Sequence, residues 1–231
     1  MPEIAAVELA PDGWPLPDNM PSGPNELRIL HVDAAWIFVD KPAGLPAVPG
    51  RAPGLQDSVA SRVQALQPLA RIVHRLDMAT SGLLLMAQGL QHQRQLSQAF
   101  AQRQVDKRYV ALVAGDIDAD SGQIELPLGP DWPSRPRQKV DREHGKPSLT
   151  LWRVLARGSG RTRLELQPQT GRTHQLRVHL AAIGHPILGD ALYAPPESRH
   201  GAPRLMLHAW RLTLAHPVDG RLCTFESPAP F

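Results

Sequence analysis

Strand-like segments in this chain follow one another with little between them, and that succession limits the folds open to it. SLTLWRVL and TRLELQPQ are separated by a turn around RGSGR. A parallel crossover needs about a dozen or more residues, so such neighbours pair antiparallel. LRILHVDAAWIFVDKP repeats the pattern, with two apolar runs flanking Asp33-Ala34-Ala35 and Pro42 ending the second. LLLMA reads as a buried strand, KRYVALVAG as a strand ending at Gly115, and LMLHAWRLTLA and CTFESP as short strands near the C-terminus. Helical periodicity is confined to three stretches. One covers about 57–67, with Asp57 or Ser58 as cap and Val59, Val63 and Leu66 on one face. The second covers about 89–103, with Leu96 and Phe100 four apart. A third starts at Thr173 as cap, buries Leu176, Leu180 and Ile183, and closes at Gly184 before Pro186. The predicted class is α+β: a mixed, mostly antiparallel sheet flanked by helices and loops.

Domain organisation follows from where these signals begin. Residues 1–26 are Pro-rich and aperiodic, an N-terminal arm; residues 27–231 are predicted to form a single domain. PAGLPAVPG reads as a loop. PDWPSRPRQKVDREHGKP, residues 130–147, reads as a stiff basic loop, with five Lys or Arg against three acids between Asp131 and Lys146. The single cysteine, Cys223, excludes an intrachain disulfide framework and a cysteine-based zinc site. No signal peptide and no membrane-spanning run is visible, which predicts a cytoplasmic protein without a membrane partner. A net charge of +3 permits a polyanionic partner without requiring one.

Two segments can carry chemistry. In HRLDMATSG, residues 74–82, Asp77 is followed by residues that bend the chain and then by the apolar run of a buried strand. A lone carboxylate at the end of a rigid element, beside arginines, suits a nucleophile better than a general acid. The bland alternative is a turn acid paired with Arg71 or Arg75. His74, Asp77 and Ser81 would make a poor hydrolase triad, because residues so close in sequence rarely align and no G-x-S-x-G elbow is present. The second segment, GRTHQLRVHLAAIGHPILGD, puts Gly171 and Arg172 before a helix N-terminus, where an anion or carboxylate is favoured. His174 and His179 are five apart and diverge around a helix, which argues against metal binding with His185 and Asp190. GSGR at 158–161 lacks the rest of a P-loop and reads as a turn. Arg161, Arg163, Arg172 and Arg177 face one acid, Glu165, and with the 133–146 loop suggest either a solvated face or a phosphate-binding surface. With 5% aromatics, a stacking platform of the RRM type is not expected.

HRLDMATSG matches H-R-L-D-x-x-T-S-G at every fixed position and so resembles the RluA family of pseudouridine synthases. VDKPAGLPAVPG resembles the family's K-P-x-G segment, and KRYVALVAG, GRTHQLRVHLAAIGHPILGDALYA and RLMLHAWRL follow in the family's order. DWPSRPRQKV and GDALYAPPESRHGAPRLMLHA resemble the shorter members more than the longer ones, which often carry an N-terminal S4 RNA-binding domain. The 26-residue arm is too short for one. The resemblance implies the pseudouridine synthase fold and an isomerase that needs no cofactor and no metal. It implies Asp77 as the catalytic aspartate, which either attacks the flipped uridine or abstracts a sugar proton. Tyr109 is implied as the active-site tyrosine, Arg172 as the basic partner of the aspartate, and Leu207 as an apolar pocket wall. Arg75 is implied to enter the space left by the flipped base, with Arg135, Arg137, Lys139 and Arg177 as further RNA contacts. The implied partner is RNA rather than DNA: a 23S rRNA hairpin loop, a tRNA anticodon stem-loop, or both, bound by a monomer. One carboxylate suffices for isomerisation, whereas a glycosidase normally needs two. The alternatives are a non-catalytic RNA-binding or ribosome-assembly protein of the same fold, and a nucleoside or glycoside hydrolase.

Overall fold

A computed structural model describes residues 27–50 and 56–231; the Pro-rich arm lies outside the described residues. The first hairpin is β1 (Arg28–Val32) and β2 (Trp36–Lys41). Its turn is set by Asp33, whose Oδ1 accepts the backbone N–H groups of Ala35 and Trp36. Helix α1 (Val59–Leu66) starts at Ser58, which forms a capping box with Ser61. Asp57, the other candidate cap, instead pairs with Arg62. Strands β3 (Ala70–Ile72) and β4 (Ser81–Gln88) follow, then α2 (Gly89–Ala101) and β5 (Asp106–Ala114). Next come β6 (Ser121–Glu125), β7 (Leu128–Pro130), β8 (Gln138–Val140), β9 (Leu149–Gly158) and β10 (Arg161–Pro168). The chain then forms α3 (Gln175–Ala182), α4 (Pro196–His200), β11 (Leu207–Ala215) and β12 (Leu222–Glu226).

Among the described residues ten strands form one sheet in the order β1-β2-β4-β11-β5-β10-β9-β6, with β3 added beside β4 and β12 beside β11. Every pairing in it is antiparallel except β4 with β11. Strand β4 is buried on both faces, which is why its sequence is an unbroken apolar run and not an alternating one. Leu84 and Met86 pack with Val59 and Val63 of α1 on one face, and Leu83 and Leu85 with Leu96 of α2 on the other.

The parallel contact is a narrow seam between two half-sheets, Ser81 and Gly82 against His208 and Ala209. Gly82 has φ +108, and a Cβ there would collide with the backbone carbonyl of Ala209, so glycine is required twice over. Ser81 and His208 lock the seam. His208 Nε2 is 2.9 Å from the carbonyl of Ser227 and so carries the proton, leaving Nδ1 to accept the Ser81 hydroxyl at 2.9 Å. The Thr-Ser-Gly that follows Asp77 therefore joins the two halves of the sheet.

Four expectations need correction. Leu66, the last residue of α1, is 69% exposed. Residues 130–147 are not all loop: β7 and β8 form a separate two-stranded hairpin around a 3-10 turn at Trp132–Ser134. Thr173 does not cap α3, since His174 occupies that position in a left-handed conformation. Ile183 is partly exposed at the end of α3, whose residues Gln175 to Leu180 are all buried, polar ones included.

Candidate active site

A cleft of about 710 Å³ opens where the two half-sheets meet, lined among others by Arg75, Asp77, Tyr109, Arg172, Arg177 and Leu207. Asp77 sits in a turn closed by Thr80 N–H donating to its carbonyl at 3.1 Å, just before β4 emerges at the seam. The K-P-x-G segment clamps this turn. Lys41 is fully buried and its Nζ donates to the carbonyls of Pro42, Leu45 and Met78, while Gly44 N–H donates to the same Met78 carbonyl. Burial drives the Lys41 amine down to about 7, with Asp77 opposing that shift.

His74 serves the frame. Its Nε2 accepts the Leu85 N–H at 3.0 Å and its ring stacks on Phe100 with centroids 4.4 Å apart. Burial holds the His74 imidazole down to about 3 and that of His208 to about 4. Both are then neutral when folded, while the unfolded chain binds protons near the ordinary value of about 6.5. The unfolded state gains protons first as pH falls, so this stability is present above about 6.5 and is lost between there and about 3–4. The melting temperature should fall steadily as pH is lowered from 7.5 toward 4.5, and a flat profile would contradict the burial of these rings. With His74 facing Leu85 and Ser81 facing His208, a His74–Asp77–Ser81 triad is not assembled.

The Asp77 carboxylate meets α3. Oδ2 lies 3.3 Å from Arg177 Nη1 and 3.8 Å from His174 Nε2. Arg177 is 5% exposed, and its Nε and Nη2 grip Asp190 bidentately at 2.8 and 2.7 Å. Asp190 also accepts the backbone N–H groups of Leu192 and Tyr193. Burial alone would raise its pKa, but the Arg177 hydrogen bonds and charge outweigh this and hold the carboxyl below its usual range. Opposite stands Tyr109 on β5, its phenol pushed up by burial and then by Asp77. Tyr109 and the buried Leu207 give the cleft an apolar wall.

The arginine that pairs with Asp77 is therefore Arg177, not Arg172. The Arg172 guanidinium turns away and donates to the carbonyl of Pro147 at 3.2–3.3 Å. Nor is its backbone free for an anion, because Arg172 N–H is taken by the Gln175 side chain at 3.0 Å. The same finding removes Arg177 from the exposed RNA contacts. Arg75 is exposed at the cleft mouth. Arg135, Arg137 and Lys139 lie outside the cleft on the β7–β8 hairpin, with Arg135 stacked 3.7 Å over the exposed ring of Trp132 and Arg137 over Tyr193. His179 bonds Thr150 and Leu126, and His185 bonds Ala114, so these histidines face separate partners. Lys41 and Tyr193 escaped sequence reasoning as site residues, and His174 and Asp190 entered it only as metal ligands, a reading the spacing argues against. The 74–82 and 171–190 motifs contain or adjoin some of them, but only contacts between distant segments show which face Asp77.

The profile of the RNA pseudouridylate synthase family matches residues 35–182. The dual-specificity RNA pseudouridine synthase RluA of Escherichia coli strain K12 is 50% identical over 206 residues, covering 89% of this chain and 94% of that one. Its namesake from Pasteurella multocida is 47% identical over the same coverage. Among solved structures, human RNA pseudouridylate synthase domain containing 1 superposes with a TM-score of 0.77 at 31% identity, over 92% of this chain and 87% of that one. The likeness extends well beyond the Asp77 motif to both half-sheets, and the chain belongs to the RNA pseudouridylate synthase family.

Proposed function

We propose that this protein isomerises specific uridines to pseudouridine in structured RNA loops, a 23S rRNA hairpin loop and a tRNA anticodon stem-loop being the targets. The observation that carries the chemistry is the lining of the cleft. Among the described residues Asp77 is the one acidic residue there, set among Arg75, Arg103, Lys107, Arg172 and Arg177. The exposed Arg75 and Arg103 suit the phosphates of an incoming strand. Arg172 and Arg177 are held by Pro147 and by the carboxylates. The apolar wall receives a base that has left its stack. Asp77 starts cleavage of the N1–C1′ bond; the base turns, C5 joins C1′, the C5 proton leaves and N1 gains one, so substrate and product are isomers. Tyr109 stacks on the base and assists removal of that proton, Leu207 supports the ring, and Arg75 fills the vacated stack. A glycosidase would need a second carboxylate facing water. Asp190, the nearest other acid on this network, is 1% exposed and fully engaged by Arg177 and two backbone N–H groups.

Mapping pseudouridine across cellular RNA with and without the protein tests the reading: sites in rRNA and tRNA should vanish without it. No lost site would favour a binding protein, and release of free uracil a hydrolase. The enzyme is taken to act as a cytoplasmic monomer; among the described residues no helix is long and apolar enough to cross a membrane.

The β7–β8 hairpin is the proposed outer RNA contact, presenting Arg135, Arg137 and Lys139 beside the exposed Trp132. Replacing Arg135 and Arg137 by alanine should weaken RNA binding and reduce the slope of log K against log salt by roughly 1 to 2. An unchanged slope measured by filter binding would make that hairpin a solvated face.

A further inference from the structure

His174 lies between the β7–β8 hairpin and the Asp77 carboxylate. Its backbone is left-handed, φ 54 and ψ 19, at the entrance to α3. Residues other than glycine hold that conformation at a cost, and such residues cluster at functional sites. The conformation accompanies an imidazole that faces two partners: Nδ1 is hydrogen-bonded at 2.6 Å to Tyr193 Oη, and Nε2 lies 3.8 Å from Asp77 Oδ2, beyond hydrogen-bond range. Tyr193 Oη also accepts the backbone N–H of Gln138 at 2.8 Å, on β8. A backbone N–H can only donate, which leaves the phenol proton free to point at His174 Nδ1. With the phenol as donor, Nδ1 carries a lone pair and a neutral ring bears its proton on Nε2, the nitrogen that faces Asp77.

The surroundings favour that neutral ring. Burial is the largest influence and lowers its pKa; Asp77 and Asp190 oppose this, Arg177 adds to it, and the net direction is downward. Tyr193 is itself fixed from the other side, its N–H donating to Asp190, which Arg177 holds. Asp77, Arg177, Asp190, Tyr193 and His174 thus close a ring of polar contacts with one open join, the 3.8 Å between His174 and Asp77. Catalytic hydrogen bonds are often long in a substrate-free site and tighten when substrate binds.

We propose that His174 is a positioning residue for the isomerisation. Locked as the Nε2–H tautomer by Tyr193 and the β8 backbone, it donates to Asp77 and, with Arg177, sets the angle at which the carboxylate meets the uridine. A helix entrance alone does not call for imidazole, since asparagine or glycine also accepts the left-handed backbone.

The test compares His174→Asn, His174→Gln, Tyr193→Phe and Asp77→Asn by single-turnover conversion at saturating RNA, RNA affinity and melting temperature. Asparagine suits the backbone but is too short to reach Asp77, whereas glutamine can place an amide N–H near the Nε2 position. His174→Asn should slow conversion roughly 10- to 100-fold, the range of a lost hydrogen bond to a charged group. Its RNA affinity should stay within about 2-fold of wild type, and His174→Gln should recover about 5-fold or more of the lost rate. Tyr193→Phe, which frees the tautomer, should fall between the two. A wild-type rate in His174→Asn overturns the proposal. So does equal loss in the Asn and Gln variants that tracks melting temperature, which would mark a structural role. The inference rests on Asp77 as the reacting carboxylate. An active Asp77→Asn enzyme would defeat that reading itself, whereas inactive Asp77→Asn beside full-rate His174→Asn defeats only the role of His174.

Discussion

Asp77→Asn should abolish pseudouridine formation, by at least about 10⁴-fold, the scale on which removing one member of a reacting group is felt. The substitution keeps the shape of the side chain and removes its charge. It should not unfold the protein, because the turn is held by backbone bonds and by Lys41 on the Met78 carbonyl, none of which involve the carboxylate. Arg177 also retains both of its bonds to Asp190. A melting temperature close to wild type together with no detectable conversion of uridine-labelled rRNA and tRNA transcripts is therefore the expected pair of results. Undiminished conversion would remove Asp77 from the chemistry.

Arg177→Leu should be the most damaging single change at the site, for activity and stability together. It leaves Asp190, at 1% exposure, without its bidentate partner. Stranding one member of a buried ion pair costs about 3–5 kcal/mol. At about 2–4 °C per kcal/mol for a chain of this size, the melting temperature should drop by on the order of 10 °C. Arg177→Lys keeps a charge but presents no fork, so it should retain one carboxylate and lose the other. The contrast with Arg172 is the informative part. Its guanidinium only caps the Pro147 carbonyl, so Arg172→Ala should cost no more than about 1 kcal/mol. Thermal melts of the two variants decide between them, and equal losses would reinstate Arg172 as a structural partner of the site.

That pair of arginines marks where sequence reading failed. Both lie in one motif, on either side of the start of α3, and their spacing alone does not say which faces the turn that carries Asp77. His174, with its left-handed backbone, lies between Arg172, before the bend, and Arg177 inside the helix, and the two guanidinium groups meet different neighbours. Thr173 as a cap and Ile183 as a core residue failed for a related reason. An amphipathic pattern assumes one buried face, while α3 is enclosed from Gln175 to Leu180.

Local sequence did determine much. Short apolar runs joined by turns made the neighbouring pairs β1–β2, β9–β10 and β11–β12 antiparallel, because those links are too short for crossovers. The unbroken LLLMA run required a strand covered on both faces, and Asp33 and Ser58 set their turn and cap through bonds spanning only a few residues. HRLDMATSG was enough to point to the family, with Asp77 as its candidate carboxylate. Only the tertiary structure decided what surrounds that carboxylate. Arg177 and His174 reach it across about a hundred residues of chain, and Lys41 clamps its turn from the far hairpin. Lys41 reaches the turn through the β2–β4 pairing of its own half-sheet. The contacts of Arg177 and His174 exist because the Gly82–Ala209 seam brings two half-sheets together. Distances across that seam are set by packing, and a linear spacing of residues does not contain them.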